Sequence, residues 1–178
     1  KQTLKTGVVQ NIVQTWDELW MRMVYQLSFK SKDPSSKIAA ILVGDDNQPI
    51  KVGYNGFPPH VKDDPTRLEN REVKYSLVVH AEENALLAAA RKGVAVQNSI
   101  LYTQATPCTN CSKSIIAAGI KTVVIHKQFE EYWCKLNQGR WPHSAERDIL
   151  YSESGTQIRT LDMSLNIETF MCGQRVVV

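Results

Sequence analysis

The chain has 178 residues, carries 21 Lys and Arg against 18 Asp and Glu for a formal net charge of +3, and is 43% hydrophobic and 22% charged. That length suits one domain of ordinary size, so residues 1–178 are expected to share one core. No apolar run approaches the roughly 20 residues that cross a bilayer, and the positive charge is spread along the chain, which argues against a membrane or a nucleic acid as partner.

In chain order, the first periodic stretch is 15–29, where Trp16, Leu19, Trp20, Met23, Val24 and Leu27 recur at helical spacing and Thr15 stands as N-cap three residues before Glu18. This predicts an amphipathic helix with its Trp/Met stripe in the core. The Pro- and Ser-rich stretch 29–37 reads as a loop, and "IAAILVG" and "IKVGYNG" read as two strands joined by "DDNQP", a hairpin over 38–53. Residues 57–76 are polar and Pro-rich, too long for a minimal connection, and read as a functional loop. A helix over about 81–91 follows, closed by Gly93, with Leu86, Leu87 and the Ala run as its packing side chains. "SILYTQ" is the next strand, "PCTNCSKSIIAAG" a helix opened by Pro107 and closed by Gly119, and "TVVIH" a further strand.

The order α-β-β-α-β-α-β predicts a sheet covered by helices, its later strands parallel. Residues 129–162 read as one more helix and a last short strand, with a break near Gly139 and Pro142; the tail "RVVV" is undetermined. No secretory pattern opens the chain, so a cytoplasmic setting is expected.

Of the four cysteines, Cys134 and Cys172 are scattered and read as packing groups, whereas Cys108 and Cys111 form C-x-x-C in the first turn of a helix. That spacing sets two sulfurs one turn apart on one face, where the helix N-terminus favours the thiolates a metal requires. Redox exchange is the competing use of this spacing. His80, at another helix start after a strand, supplies a third donor that a redox pair does not need. Three protein ligands leave the fourth tetrahedral position of zinc open, the pattern of a catalytic centre. Glu82, two residues from His80 and no ligand, is then placed to carry a proton between water and substrate. Asn55 in "GYNG" sits between glycines, where the backbone can turn tightly and approach a ligand, and Ser31, Lys32 and Lys37 in "SKDPSSK" offer hydroxyl and ammonium donors on a loop.

The pair "HAE" and "PCTNC" is the H-x-E…P-C-x-x-C signature of the zinc nucleobase deaminases. Together with the Trp16 to Met23 helix, "SKDPSSK", "GYNGFPP", "HAEENAL" and "TPCTNC", in unbroken order over roughly residues 15–125, the chain resembles the human- and phage-type deoxycytidylate (dCMP) deaminases of the cytidine deaminase-like superfamily. The resemblance implies a three-layer α-β-α fold with a mixed five-stranded sheet and helices on both faces, and motifs within 31–119 followed by a C-terminal extension over about 128–178. It implies zinc-dependent hydrolysis of the cytosine 4-amino group of dCMP to dUMP and ammonia, which supplies thymidylate synthesis. His80, Cys108 and Cys111 are the implied zinc ligands and Glu82 the implied proton shuttle. Asn55 and Ala81 are expected at the nucleoside and Ser31, Lys32 and Lys37 at the 5′-phosphate.

By the same resemblance the chain is expected to be a homohexamer activated by dCTP and inhibited by dTTP, with Mg²⁺ assisting the triphosphate. Tyr54, Gly56, Phe57 and Arg91 are the implied effector or interface residues; Arg91 alone also reads as a helix C-terminal dipole complement. Extra zinc ligands of some phage-type members find no match, because no Cys precedes Cys108 and His60 is left without a partner, so one zinc per chain is expected. Rival readings are a deaminase that also accepts dCTP, a tRNA adenosine deaminase, and a non-catalytic zinc-binding interaction domain. Glu82 separates the last from the enzymes, because a structural site needs no proton carrier.

Overall fold

The computed structural model describes residues 14–137 and 145–178. Helix α1 (Trp16–Ser28) starts where Thr15 turns extended and its hydroxyl accepts the Glu18 N–H at 3.2 Å, the cap expected from the sequence. Its buried face is Trp20, Met21, Val24, Tyr25 and Ser28, while Trp16 and Met23 are 52% and 42% exposed. The predicted Trp/Met stripe is therefore turned partly to the surface. Tyr25 takes the core because its hydroxyl finds a buried partner there, the Nδ1 of His126 at 2.7 Å.

Strands β1 (Ala39–Val43) and β2 (Pro49–Tyr54) form the expected antiparallel hairpin, and the five-stranded sheet runs β2-β1-β3-β4-β5. Its members β3 (Ile100–Thr103), β4 (Thr122–His126) and β5 (Gln157–Leu161) are parallel to one another, and β1 is antiparallel to β3. This is a mixed α/β sheet. Every residue of β1 and β4 is buried, as strands covered on both faces require. Alternate side chains enter two cores: Ala39, Ile41, Val43, Tyr102 and Val124 face one, and Ala40, Leu42, Leu101, Val123 and Ile125 the other. The first core is closed by α1 and by Phe129 of α6 (Lys127–Asn137); the second by α4 (Ala81–Ala90) and α5 (Thr109–Ala117), with Tyr151 of α7 (Ala145–Ser154) packed against it. Among the described residues no helix is long and apolar enough to cross a membrane.

The insert read as a loop contains two short helices, α2 (Pro65–Glu69) and α3 (Arg71–Leu77). Each has a side-chain cap, Asp64 accepting the Thr66 N–H and Asn70 the Val73 N–H. Where one more helix was expected after β4 there are two, α6 and α7; the predicted break at Gly139 and Pro142 lies outside the described residues. The undetermined tail forms β7 (Gln174–Val177), paired antiparallel with β6 (Glu168–Met171) through a Cys172-Gly173 turn with φ +50° and +80°. Both turn residues thus take the left-handed conformation of a tight hairpin. This hairpin binds the 33–37 loop, with the Lys37 N–H on the Phe170 carbonyl at 3.1 Å and the Gly173 N–H on the Ser35 carbonyl at 2.7 Å.

Glycine at position 53 lets α4 lie directly on the edge strand. A Cβ there would overlap the Ala81 carbonyl and the Ala85 backbone nitrogen. The first turn of α4, with His80 before it, is thereby held at the end of β2.

Candidate active site

His80 is the N-cap of α4 and Cys108 the N-cap of α5, both in extended backbone, and neither side chain bonds its own helix end. They turn toward each other instead. His80 Nδ1 lies 3.5 Å from Cys108 Sγ and 3.4 Å from Cys111 Sγ, and all three donor atoms lie within 4.8 Å of one another. A tetrahedral zinc with bonds of about 2.0 Å to nitrogen and 2.3 Å to sulfur has N···S edges of about 3.5 Å. The donor set and its spacing fit that ion. Among the described residues this is the one cluster of three or more His, Cys, Asp or Glu side chains spaced to hold a metal.

The three donors also share protons among themselves. The Cys108 thiol is lowered to about 4 by its hydrogen bond with Cys111 and by His80. His80 is raised to about 9, chiefly by its hydrogen bond with Cys108, and Cys111 is pushed up because Cys108 takes the negative charge first. Electron density concentrated in this way is what a soft dication displaces protons to reach. Glu82, in the first turn of α4, is only 6% exposed; burial raises its pKa and the charge of His80 opposes the rise. A carboxyl so placed takes up and holds a proton more readily than one in water.

His80, Ala81, Glu82 and Cys108 line a cavity of about 900 Å³, ample for a small-molecule ligand. Asn55 lines it too, with its amide already engaged: Oδ1 accepts the Ile38 N–H and Nδ2 donates to the Ser36 carbonyl, both at 2.9 Å. It ties the end of β2 to the 33–37 loop, with one N–H and one lone pair left over.

The other expected residues lie elsewhere. Ser31 is 2% exposed, and its hydroxyl donates to the Asn55 carbonyl and accepts the Asp33 N–H. The Lys37 ammonium bonds the Ser31 carbonyl, and Lys32, its side chain 67% exposed, pairs with Asp63 at 2.8 Å. None of the three lines the cavity. Nor do Tyr54, Gly56, Phe57 or Arg91. Tyr54 is exposed on the edge strand, Gly56 bridges to Val79, Phe57 is buried, and Arg91 is the exposed C-cap of α4. Leu87, expected as packing, is 52% exposed.

Apart from Trp133, an aromatic residue of the C-terminal part, the cavity is completed by residues that the sequence did not point to. Arg71, Lys74 and Tyr75 come from α3, Trp133 from α6, and Cys172 with Gly173 from the C-terminal hairpin. Cys172 binds the opposite wall through its N–H on Ser36 Oγ at 3.0 Å. Asp64-Pro65 and Asn70 were helix-start signals that could have revealed the insert; the hairpin turn had only its glycine.

A family model described as the cytidine and deoxycytidylate deaminase zinc-binding region matches residues 14–127, the stretch from α1 through β4 that carries all three donors and Glu82. The chain belongs to this family. Among its relatives, the deoxycytidylate deaminases of Mus musculus and Homo sapiens are 39% and 38% identical over 114 residues, 61% of this chain and 63% of each relative. The chain thus spans less than two thirds of those two proteins. A deaminase from the luxG 3′ region of Aliivibrio fischeri is 29% identical over 155 residues, 86% of this chain and 99% of that one. The crystal structure of dCMP deaminase from cyanophage S-TIM5 in apo form superposes with a TM-score of 0.61 at 25% identity, covering 82% of this chain and 96% of that chain. Its complex with dCMP and dUMP gives 0.62 at 24% identity over 81% and 95%, a likeness of fold. The family match ends before α7 and the β6–β7 hairpin.

Proposed function

We propose that this family member catalyses hydrolytic deamination of dCMP to dUMP and ammonia with one zinc per chain, as a single deaminase domain. The observation that carries the proposal is the convergence of His80 Nδ1, Cys108 Sγ and Cys111 Sγ beside a buried carboxylate, Glu82, on a cavity of about 900 Å³. The choice of dCMP is supported by the mouse and human relatives, deoxycytidylate deaminases by name, and by the fold shared with the S-TIM5 enzyme.

His80, Cys108 and Cys111 would hold the zinc, His80 through Nδ1. When bound, zinc supplies Lewis acidity that makes water a nucleophile near neutral pH. Glu82 accepts the proton of that water, delivers it to N3 of the cytosine, and carries a second to the departing amine. The water's oxygen ends on C4, the C4–N bond breaks, and nitrogen leaves as ammonia. Burial suits Glu82 to this shuttle because its protonated form is kept from water between the two transfers. Asn55, clamped by two bonds, sets the wall against the sugar and has one N–H left to donate to it. Ala81 lines the same wall.

The proposal extends, by family resemblance, to a homohexamer activated by dCTP and inhibited by dTTP. An effector at Tyr54, Gly56, Phe57 or Arg91 would sit outside the substrate cavity. Mg²⁺ finds no supporting feature among the described residues and is not part of the proposal. An ammonia-release assay on zinc-loaded protein tests the reading with dCMP, dCTP, deoxycytidine and a tRNA anticodon stem, with and without dCTP and dTTP. Dominant turnover of dCMP is expected. Dominant turnover of the tRNA overturns the substrate, and no turnover of any compound favours a zinc-binding interaction domain.

A further inference from the structure

Among the described residues, Arg71 and Lys74 are the only Lys or Arg side chains lining the cavity that holds His80 and Glu82. Lys74 is buried, with 9% of its side chain exposed, and its ammonium donates to Asp33 Oδ1 at 3.1 Å. That oxygen also accepts the Ser35 N–H at 2.7 Å and the Ser36 N–H at 3.2 Å, so the 33–37 loop shares the charge of Asp33. An ammonium has three hydrogens, and the bond to Asp33 uses one. The other two have no acceptor among the described residues, which leaves them for an anionic ligand oxygen. Arg71 is exposed at the rim, its guanidinium carbon 5.3 Å from the centroid of the Tyr75 ring. The Lys74 ammonium is 5.6 Å from the same centroid, so one aromatic ring gathers both cations at one end of the cavity.

Resting on the deaminase reading, we propose that Arg71 and Lys74 of α3 bind the 5′-phosphate of the substrate and set its selectivity for a nucleotide. The "SKDPSSK" loop then acts differently from what its composition suggests. Its Ser31 hydroxyl and Lys37 ammonium are spent on backbone carbonyls, Lys32 is tied to Asp63 outside the cavity, and Asp33 orients Lys74. A buried lysine as point charge and a rim arginine with a two-pronged fork are complementary donors for a phosphate dianion. The insert that carries them thus becomes the part of the chain that distinguishes a nucleotide from a nucleoside.

The test is steady-state kinetics of the zinc-loaded full chain on dCMP, with dUMP as competitive inhibitor, for wild type, Arg71→Glu, Lys32→Ala and Lys37→Ala. Arg71 is exposed, so its substitution leaves the fold intact; Lys74→Ala is avoided because it strands Asp33 in the wall. Arg71→Glu is expected to raise both KM for dCMP and the dUMP inhibition constant by roughly tenfold or more, with kcat within about twofold of wild type. Lys32→Ala is expected to match wild type. A smaller rise in Arg71→Glu, a fall in kcat without it, or a tenfold rise in KM in Lys32→Ala or Lys37→Ala instead overturns the assignment. Wild-type protein that does not turn over dCMP at all overturns the deaminase reading and this inference with it, a result distinct from an active wild type matched by Arg71→Glu.

Discussion

His126 sits in the first core with no solvent exposure, its Nε2 donating to the Met163 carbonyl at 2.8 Å and its Nδ1 accepting the Tyr25 hydroxyl at 2.7 Å. A carbonyl only accepts, so this pairing fixes the neutral tautomer, and burial lowers the pKa of His126 below 6.5. The unfolded chain binds that proton near pH 6.5 and the folded chain only at lower pH. The stability supplied by neutral His126 is therefore complete above about pH 6.5 and is lost as the pH falls below it. Urea unfolding at pH 7.5 and 5.5 should show the chain weaker at 5.5, and Tyr25→Phe, which strands Nδ1, should cost about 1–3 kcal/mol at pH 7.5. Equal stability of Tyr25→Phe and wild type would show that the pair does not hold the core. At the metal site, Cys108→Ser or Cys111→Ser should lose most bound zinc by elemental analysis and lower the melting temperature, since a structure-coupled metal adds its binding energy to the fold.

At the scale of elements, Gly53 is the joint between the edge strand and α4. Gly53→Ala places a methyl against the Ala81 carbonyl and Ala85 nitrogen, so α4 must move and His80 with it. A loss of about 3 kcal/mol in chemical denaturation and a parallel fall in zinc content are expected, whereas Gly93→Ala, in open space at φ +62°, should cost only about 1 kcal/mol and leave zinc bound. Equal costs and full zinc in both variants would contradict this placement. The buried strands were legible as unbroken apolar runs, and the His80, Cys108 and Cys111 set as a spacing that few other chemistries require. The inward face of α1 was not, because Tyr25 is buried by a partner 101 residues away. The burial of Lys74 was not legible for the same reason, since it depends on Asp33, 41 residues earlier. The C-terminal turn escaped notice because Cys172 is an unusual residue at φ +50°.

For the molecule as a whole, two cores share one sheet, and the donors meet where α4 and α5 begin in the second of them. The C-terminal hairpin, outside the family match, closes the cavity from the side of the first core, where Met171 and Val178 are buried. Zinc bound at the start of α4 and α5 should stabilise both halves. Removal of zinc with a chelator is expected to lower the melting temperature by several degrees and its return to restore it, followed by thermal circular dichroism. An unchanged melting curve would mean that the ion is not tied to the fold. The central claim, that a buried carboxylate beside a zinc site carries the proton in dCMP deamination, is tested most directly by comparing wild type with Glu82→Gln, both zinc-loaded, for ammonia release from dCMP. The variant should keep its zinc and lose turnover by at least about a hundredfold; a zinc-replete Glu82→Gln with near-normal turnover would contradict the account.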